Sequence, residues 1–175
     1  MISKHFTVEL SAVTEKFVCG NKYLDKFIKS HEALDESIGK TYVFLTEDHK
    51  ELIGYYNIAT GSLQSVERVT NNPLKIKIGG TIHINAFAVS EDYQGKIIDE
   101  ADILYADLLL DDCIQRIIKL RNDVGFEFVT LASTQEGLRL YNRFGFEYLE
   151  DHMTFAPEKD EFGCTPMYLS LDWEE

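Results

Sequence analysis

A glycine turn stands between a strand-like run and a helical one in "TIHINAFAVSEDYQGKIIDEAD", and such turns commonly hold phosphate groups on backbone N–H donors. Gln94, Gly95, Lys96, Ile97 and Ile98 are the residues whose amides could form that cradle, with the Lys96 ammonium adding positive charge. Three acids, Asp99, Glu100 and Asp102, follow at once. Acids at a helix start engage its unpaired N–H groups and favour its dipole by roughly 0.3–1 kcal/mol each, so they compete with an anionic ligand for the same donors. The stretch therefore divides into a "YQGK" turn and an acidic helix start that faces solvent. In the preceding strand alternate residues share a face, which groups His83, Asn85, Phe87 and Val89. An unperturbed histidine titrates at about 6.5 and can take up a proton near neutrality, whereas an amide cannot act as a base. A lone strand histidine is also a common hydrogen-bonded structural residue, and both roles stay open for His83.

No other chemistry is indicated by spacing. The carboxylates and histidines are scattered without ligand periodicity, so no metal is expected. Cys19, Cys113 and Cys164 are odd in number and far apart, which reads as thiols outside any disulfide framework or metal knuckle. Seventeen basic residues against thirty acidic ones leave a net charge of −13. That charge repels polyanions at range and attracts cations, so nucleic acid is a disfavoured partner. Solubility alone also accounts for it. A hydrophobic fraction of 45% with three prolines in 175 residues fits one folded domain over residues 1–175. No apolar run approaches the roughly 18 residues that span a bilayer, and "MISKHFTVEL" lacks a signal-peptide core, so a cytoplasmic location is expected.

The elements that would position these residues read as follows. "KHFTVELSAV" alternates as a first strand with Phe6, Val8 and Leu10 on one face. Asn21 caps a helix in which Tyr23, Leu24, Phe27 and Ile28 recur at helical spacing, and a second short helix through Leu34 ends at Gly39. Two β-branched and aromatic runs around a polar turn at Glu47 to Glu51 read as a hairpin. "ERVTNNPLKIKIGG" reads as an exposed loop, "TIHINAFAV" as a strand, and about Ile103 to Asp123 as a long helix. "FEFVTLAS" is a strand, "TQEGLRLYNRF" a short helix closed by Gly145, and "FEYLEDHMTFA" and "TPMYLSLDW" two last strands. The order predicts a mixed α/β sheet with a crossover unit between the fourth and fifth strands.

Three of these features in fixed order carry a resemblance. "AVSEDYQGK" after a central strand, a long helix, and "LYNRFGFE" together resemble the Gcn5-related N-acetyltransferase (GNAT) family over nearly the whole chain. The N-terminal "FVCGNKYLDKFI" is similar to an opening found in a branch that includes aminoacyl-tRNA-acetylating toxins, although the acidity of this chain departs from that branch's basic surface. The resemblance implies an α/β GNAT fold, with a mixed six- to seven-stranded central sheet and about four flanking helices. It implies acetyl-coenzyme A as co-substrate and direct acetyl transfer to a primary amine of a small molecule or protein, with a homodimer as the assembly to test. The alternatives are a catalytically silent GNAT-fold binding module and, less favoured, a toxin acting on tRNA.

By the same resemblance Tyr141 matches the tyrosine that protonates the departing thiolate. A phenol of pKa about 10 suits a leaving group of similar basicity. Leu138, Tyr141 and Phe144 also recur at a spacing of three, so core packing remains open for it. Asn85 falls where many members carry a glutamate base, which leaves His83, water or a neutral substrate to manage the amine proton. Phe87, Ala88 and Val89 would pair the pantetheine arm through their backbone. Thr134 falls where an asparagine often contacts pantetheine; capping a helix that starts near Gln135 is its favoured role. The pyrophosphate loop departs from the family pattern. Ile97, Ile98 and Asp99 replace later glycines, and the helix begins about six residues late.

Overall fold

The computed structural model describes residues 1–67, 73–98, 102–156 and 163–171. Its strands are β1 (Ile2–His5), β2 (Lys40–Leu45), β3 (Leu52–Glu67), β4 (Leu74–Val89), β5 (Ile97–Ile98), β6 (Ile103–Leu104), β7 (Phe128–Ser133), β8 (Glu147–Tyr148), β9 (Met153–Ala156) and β10 (Thr165–Ser170). The helices are α1 (Lys22–Lys29), α2 (Tyr105–Leu120) and α3 (Leu138–Arg143), with 3-10 segments at Val8–Thr14 and His31–Leu34. Among the described residues the main sheet has eight strands in the order β1-β2-β3-β4-β7-β10-β8, with β9 on β3; β5 and β6 form a separate ladder. This is the mixed α/β sheet expected, one strand larger. The chain divides into two compact units, one of residues 1–59 with 85–116 and the other of residues 60–84 with 117–175.

In the first unit β2 pairs antiparallel with β1 on one edge and with β3 on the other. Its core gathers Phe6, Phe17, Phe27, Ile28, Val43, Leu45, Tyr55, Ala86 and Ala88. Asn21 caps α1 as the sequence predicts, accepting from the Tyr23 and Leu24 amides. Phe27 and Ile28 are buried there while Tyr23 is exposed. Gly54 lets α2 come close, because a Cβ there would stand 2.6 Å from the Ala88 carbonyl oxygen and 2.7 Å from Leu109.

In the second unit β4 and β7 run parallel from Thr81↔Phe128 to Ile84↔Leu131, the partners of the expected crossover. β10 pairs antiparallel with β7 along its whole length. Ile82, Ile84, Val129, Leu131, Met167 and Leu171 form buried apolar layers.

Several local expectations are corrected. The first strand ends at His5, and Val8–Thr14 is a 3-10 segment. Short polar side chains there bond back to carbonyls, Ser11 to Val8 at 2.7 Å and Thr14 to Ser11 at 2.8 Å, an alternative to strand pairing. The second short helix stops at Leu34, well before Gly39. Leu74–Gly80, expected in a loop, belongs to β4. The apolar alternation of Leu74, Ile76 and Ile78 outweighs the glycines, and Gly79 marks a close approach where a Cβ would stand 2.7 Å from the Phe128 ring. α2 runs Tyr105–Leu120 within the span expected from about Ile103 to Asp123, its start set back because Ile103 and Leu104 pair with β5. "FEYLEDHMTFA" is two strands, because the polar Glu150–His152 turn interrupts it.

Candidate functional site

The sequence-predicted residues fall in both units, and each unit organises its own. In the first, β4 ends at Val89 and leads into the "YQGK" turn. The pairing of β4 with β7 stops at Ile84, so Asn85 to Val89 lie past the end of that ladder. The turn closes on itself. The Tyr93 and Gln94 amides donate to the Ser90 carbonyl at 2.8 and 3.0 Å, and the Lys96 amide donates to Tyr93 at 3.3 Å. Gly95 has φ +67 with open space where a Cβ would be. Among the described residues its amide has no partner. Of the five amides expected to form a cradle, those of Gln94 and Lys96 are thus engaged within the turn. Ile97 and Ile98 belong to the β5–β6 ladder, opposite Leu104 and Ile103.

Of the expected acidic helix start only Asp102 is described, in a turn just before β6. Asp102 has φ +52 and its amide donates to the Ile98 carbonyl at 3.0 Å. Asp99 and Glu100 lie outside the described residues. Tyr93 pins the turn from one side, its hydroxyl donating to Glu51 at 2.6 Å and its ring meeting Tyr105 edge-on at 5.0 Å. The Glu51 carboxylate, burial and nearby charge push the Tyr93 phenol up to about 12. The Gln94 amide nitrogen donates to the Cys19 and Val89 carbonyls at 2.9 and 2.8 Å.

Asn85 is not an isolated polar residue. Its Nδ2 donates to the Ile38 carbonyl at 3.1 Å and to Asn57 Oδ1 at 2.6 Å. Asn57 Nδ2 in turn donates to Thr41 Oγ1 at 2.9 Å, and Thr41 donates to the Ala33 carbonyl at 2.7 Å. Asn57 is 0% exposed. A Cβ at Gly39, which has φ +154, would stand 2.5 Å from Asn57 Oδ1, so glycine is required for that relay to close. Sequence reasoning missed Asn57, Thr41 and Gly39. The signal was present in "YYNIA", where an amide interrupts an apolar strand and must find partners if buried.

In the second unit His83 is buried, with Nδ1 at 2.9 Å from Thr130 Oγ1 and its ring edge-on to Phe155 at 5.2 Å. Tyr141 is 7% exposed on α3 and packs edge-on against Phe146 at 5.6 Å. Gly137, one turn earlier, makes room for that ring, since a Cβ would stand 3.1 Å from Tyr141 Cε2. Gly145 closes the helix at φ +83, as its sequence position predicts. Thr134 does not cap this helix. The cap position is Gly137, and the Thr134 carbonyl accepts from the Gly137 amide at 3.1 Å across a preceding turn.

Burial pushes the Cys19 thiol up to about 12 and the Cys113 thiol well above its ordinary range, so neither is an activated nucleophile. Among the described residues no group of three or more His, Cys, Asp or Glu is placed to hold a metal ion. No helix among them is long and apolar enough to cross a membrane.

Comparison with known proteins bears on this arrangement. Residues 9–171 match the family model described as an acetyltransferase (GNAT) domain. Among solved structures the chain is similar to AtaTR bound with AcCoA (TM-score 0.73, 14% identity, 97% of this chain and 92% of that one). It is similar to a structure described as a bacterial toxin (TM-score 0.71, 20% identity, 97% and 89%). The KacTA–DNA complex is a further neighbour (TM-score 0.68, 18% identity, 97% and 92%). At these identities the likeness to solved structures concerns the fold, whereas the family model spans almost the entire chain. With the strand–QG turn–helix unit, the "LYNRFGF" helix and that match together, the chain belongs to the GNAT acetyltransferase family, N-acetyltransferases that take acetyl-coenzyme A as co-substrate.

Proposed function

We propose that this chain, as one domain over residues 1–175, transfers acetyl from acetyl-coenzyme A directly to a primary amine of a small molecule or protein. Attack by the amine expels a thiolate, and the Tyr141 hydroxyl donates the proton that neutralises it. The amine must lose a proton before attack. Asn85 cannot take it, since it is an amide with both Nδ2 hydrogens directed at protein oxygens. His83 or water takes it, and loss of one limb of the pH–rate profile in His83→Gln identifies which.

The observation that carries the reading is the end of the β4–β7 ladder at Ile84 and Leu131. It leaves Phe87, Ala88 and Val89 beyond that pairing, on a stretch suited to hold the pantetheine arm through backbone groups. The Gly95 amide and the Lys96 ammonium would meet the pyrophosphate, and Thr134 is the candidate for a pantetheine amide. Titration calorimetry with acetyl-coenzyme A, followed by a thiol-release screen over amino acids, polyamines, aminoglycosides and peptides, tests it. Neither heat nor thermal stabilisation at millimolar ligand would remove the enzyme reading.

A second reading, a GNAT fold serving only as a binding module, draws support from the engaged Gln94 and Lys96 amides and the β5–β6 ladder. It predicts an unresponsive titration and a protein partner. A toxin reading draws on the fold neighbours and the "FVCGN" opening, against a charge of −13. It predicts growth arrest on expression and tRNA retention at low salt. Sedimentation of the purified chain tests the homodimer.

A further inference from the structure

The segment Val18–Asn21 and the turn Tyr93–Lys96 are about seventy residues apart in sequence, yet they are stitched together within the first unit. The Val18 carbonyl accepts from the Glu91 amide at 2.8 Å, and the next carbonyl, that of Cys19, accepts from Gln94 Nε2 at 2.9 Å. Successive carbonyls of an extended chain point in opposite directions, so presenting both to one turn requires a bend. That bend lies at Cys19, between the two carbonyls; Gly20 follows at φ +86 and turns the chain on toward α1, lying so close that a Cβ would stand 3.1 Å from Glu91 Oε1. On its far side the segment is anchored to α1: the Cys19 amide donates to Asp25 Oδ1 at 2.7 Å, and Asn21 caps the helix.

Gln94 is the fastening. Its second hydrogen bond goes to the Val89 carbonyl at 2.8 Å, where β4 ends. Both partners are carbonyl oxygens, so only the NH2 end of the amide can face them. One side chain thereby ties the end of β4, the N-terminal segment and the turn that carries Gly95.

We infer that Gln94 is a positioning residue and that Val18–Asn21 is a brace that holds the Gly95 amide in place for the co-substrate. The consequence for binding rests on the acetyl-coenzyme A reading above; the brace itself does not. Without Gln94 the turn would keep its own backbone bonds, the Tyr93 contacts with Glu51 and Tyr105, and the Tyr105 amide on the Lys96 carbonyl. It would lose its side-chain tie to Cys19 and Val89, and a donor that must then be ordered on binding costs affinity. The Gln94 side chain acts on the protein and not on the pyrophosphate.

Three variants test this. Gln94→Met keeps the length of the side chain and removes the donor; it should raise KM for acetyl-coenzyme A about five- to tenfold with kcat within about twofold. Gln94→Glu turns an anion toward two carbonyls and should be worse at pH 8. It should recover as pH falls and the carboxyl gains a proton to donate, a trend that Gln94→Met lacks. Gly20→Ala attacks the brace from the other end, and its effect should be less than additive with that of Gln94→Met.

Hydrogen exchange without ligand gives a separate readout. Amides of Tyr93–Lys96 should exchange several-fold faster in Gln94→Met than in wild type, with the centre of α2 unchanged. Unchanged exchange at the turn in Gln94→Met would overturn the brace, and an unchanged KM in that variant, where the wild type binds acetyl-coenzyme A, would overturn its role in binding. A wild type that binds none overturns the functional reading instead, and the exchange result still decides the brace.

Discussion

At the scale of single residues, the candidates differ in how far packing has committed them. Tyr141 is buried with its ring set by Gly137 and Phe146, a placement that restricts the phenol to few orientations. Tyr141→Phe keeps that packing and removes only the hydroxyl. If Tyr141 is the general acid proposed above, the change should lower kcat by about 10²–10⁴, the usual span for such a group, with the calorimetric affinity for acetyl-coenzyme A within about twofold. Tyr93 makes a second prediction. Its phenol, held neutral by Glu51, has a folded pKa of about 12, above the value of about 10 expected in the unfolded chain. Its stabilising contribution is therefore fully present below pH 10 and is lost as pH rises through 12. Phenolate absorbance should rise above pH 10 together with loss of the tertiary signal, and Tyr93→Phe should weaken that dependence. Cys19 and Cys113 should stay unalkylated at pH 8 in the native protein and react once it is denatured.

Among the elements, two polar networks tie the first unit together. Around Asp112 on α2, the Tyr56 hydroxyl donates at 2.6 Å and Ser3 at 2.8 Å, while Arg116 Nε donates to the Tyr56 oxygen at 2.7 Å. The Arg116 guanidinium also lies 4.0 Å over the Tyr42 ring, so one helix turn clasps β1, β2 and β3. Burial, then Asp112, drives the Tyr56 phenol far above its ordinary value, which keeps it a donor. The other network is the Asn85–Asn57–Thr41 relay. Asn57→Ala strips a partner from both Asn85 and Thr41 in a buried setting. It should lower unfolding free energy by about 2–3 kcal/mol, read from the urea midpoint at unchanged m-value. A loss under 0.5 kcal/mol would mean that the relay is incidental. The relay also explains why an amide rather than a carboxylate stands at position 85, since a glutamate could not donate to the Ile38 carbonyl and Asn57 Oδ1.

For the molecule as a whole, net charge shapes how ligands arrive. At −13 the protein attracts a cationic amine and repels anionic acetyl-coenzyme A at range, and salt screens both effects. Raising ionic strength from about 20 to 300 mM should increase KM for a cationic acceptor and decrease KM for acetyl-coenzyme A, each by about two- to fivefold. A rise in both would argue that contact hydrogen bonds, not long-range charge, govern encounter. Tight binding of tRNA that weakens steeply with salt would contradict the small-amine reading and favour the toxin reading.

Features set by neighbouring residues, or by periodicity along a single segment and the order of segments, were legible in the amino-acid order. Asn21 as a cap, Gly145 as a helix end, the hairpin at Glu47 to Glu51 and the strand–helix–strand crossover all follow from local periodicity and local hydrogen bonding. The "YQGK" turn and "LYNRFGF" helix were likewise visible, and with them the family. What the tertiary structure alone decided is which donors and acceptors are already engaged. That the Gln94 side chain serves Cys19 and Val89, that Asn85 serves Ile38 and Asn57, and that Ile97 and Ile98 pair with β6 depends on partners brought together by the fold. The "YQGK" turn thus offers chiefly the Gly95 amide. No residue near it in sequence could have said so, because a hydrogen bond is set by where its partner lies and not by how the chain is spelled.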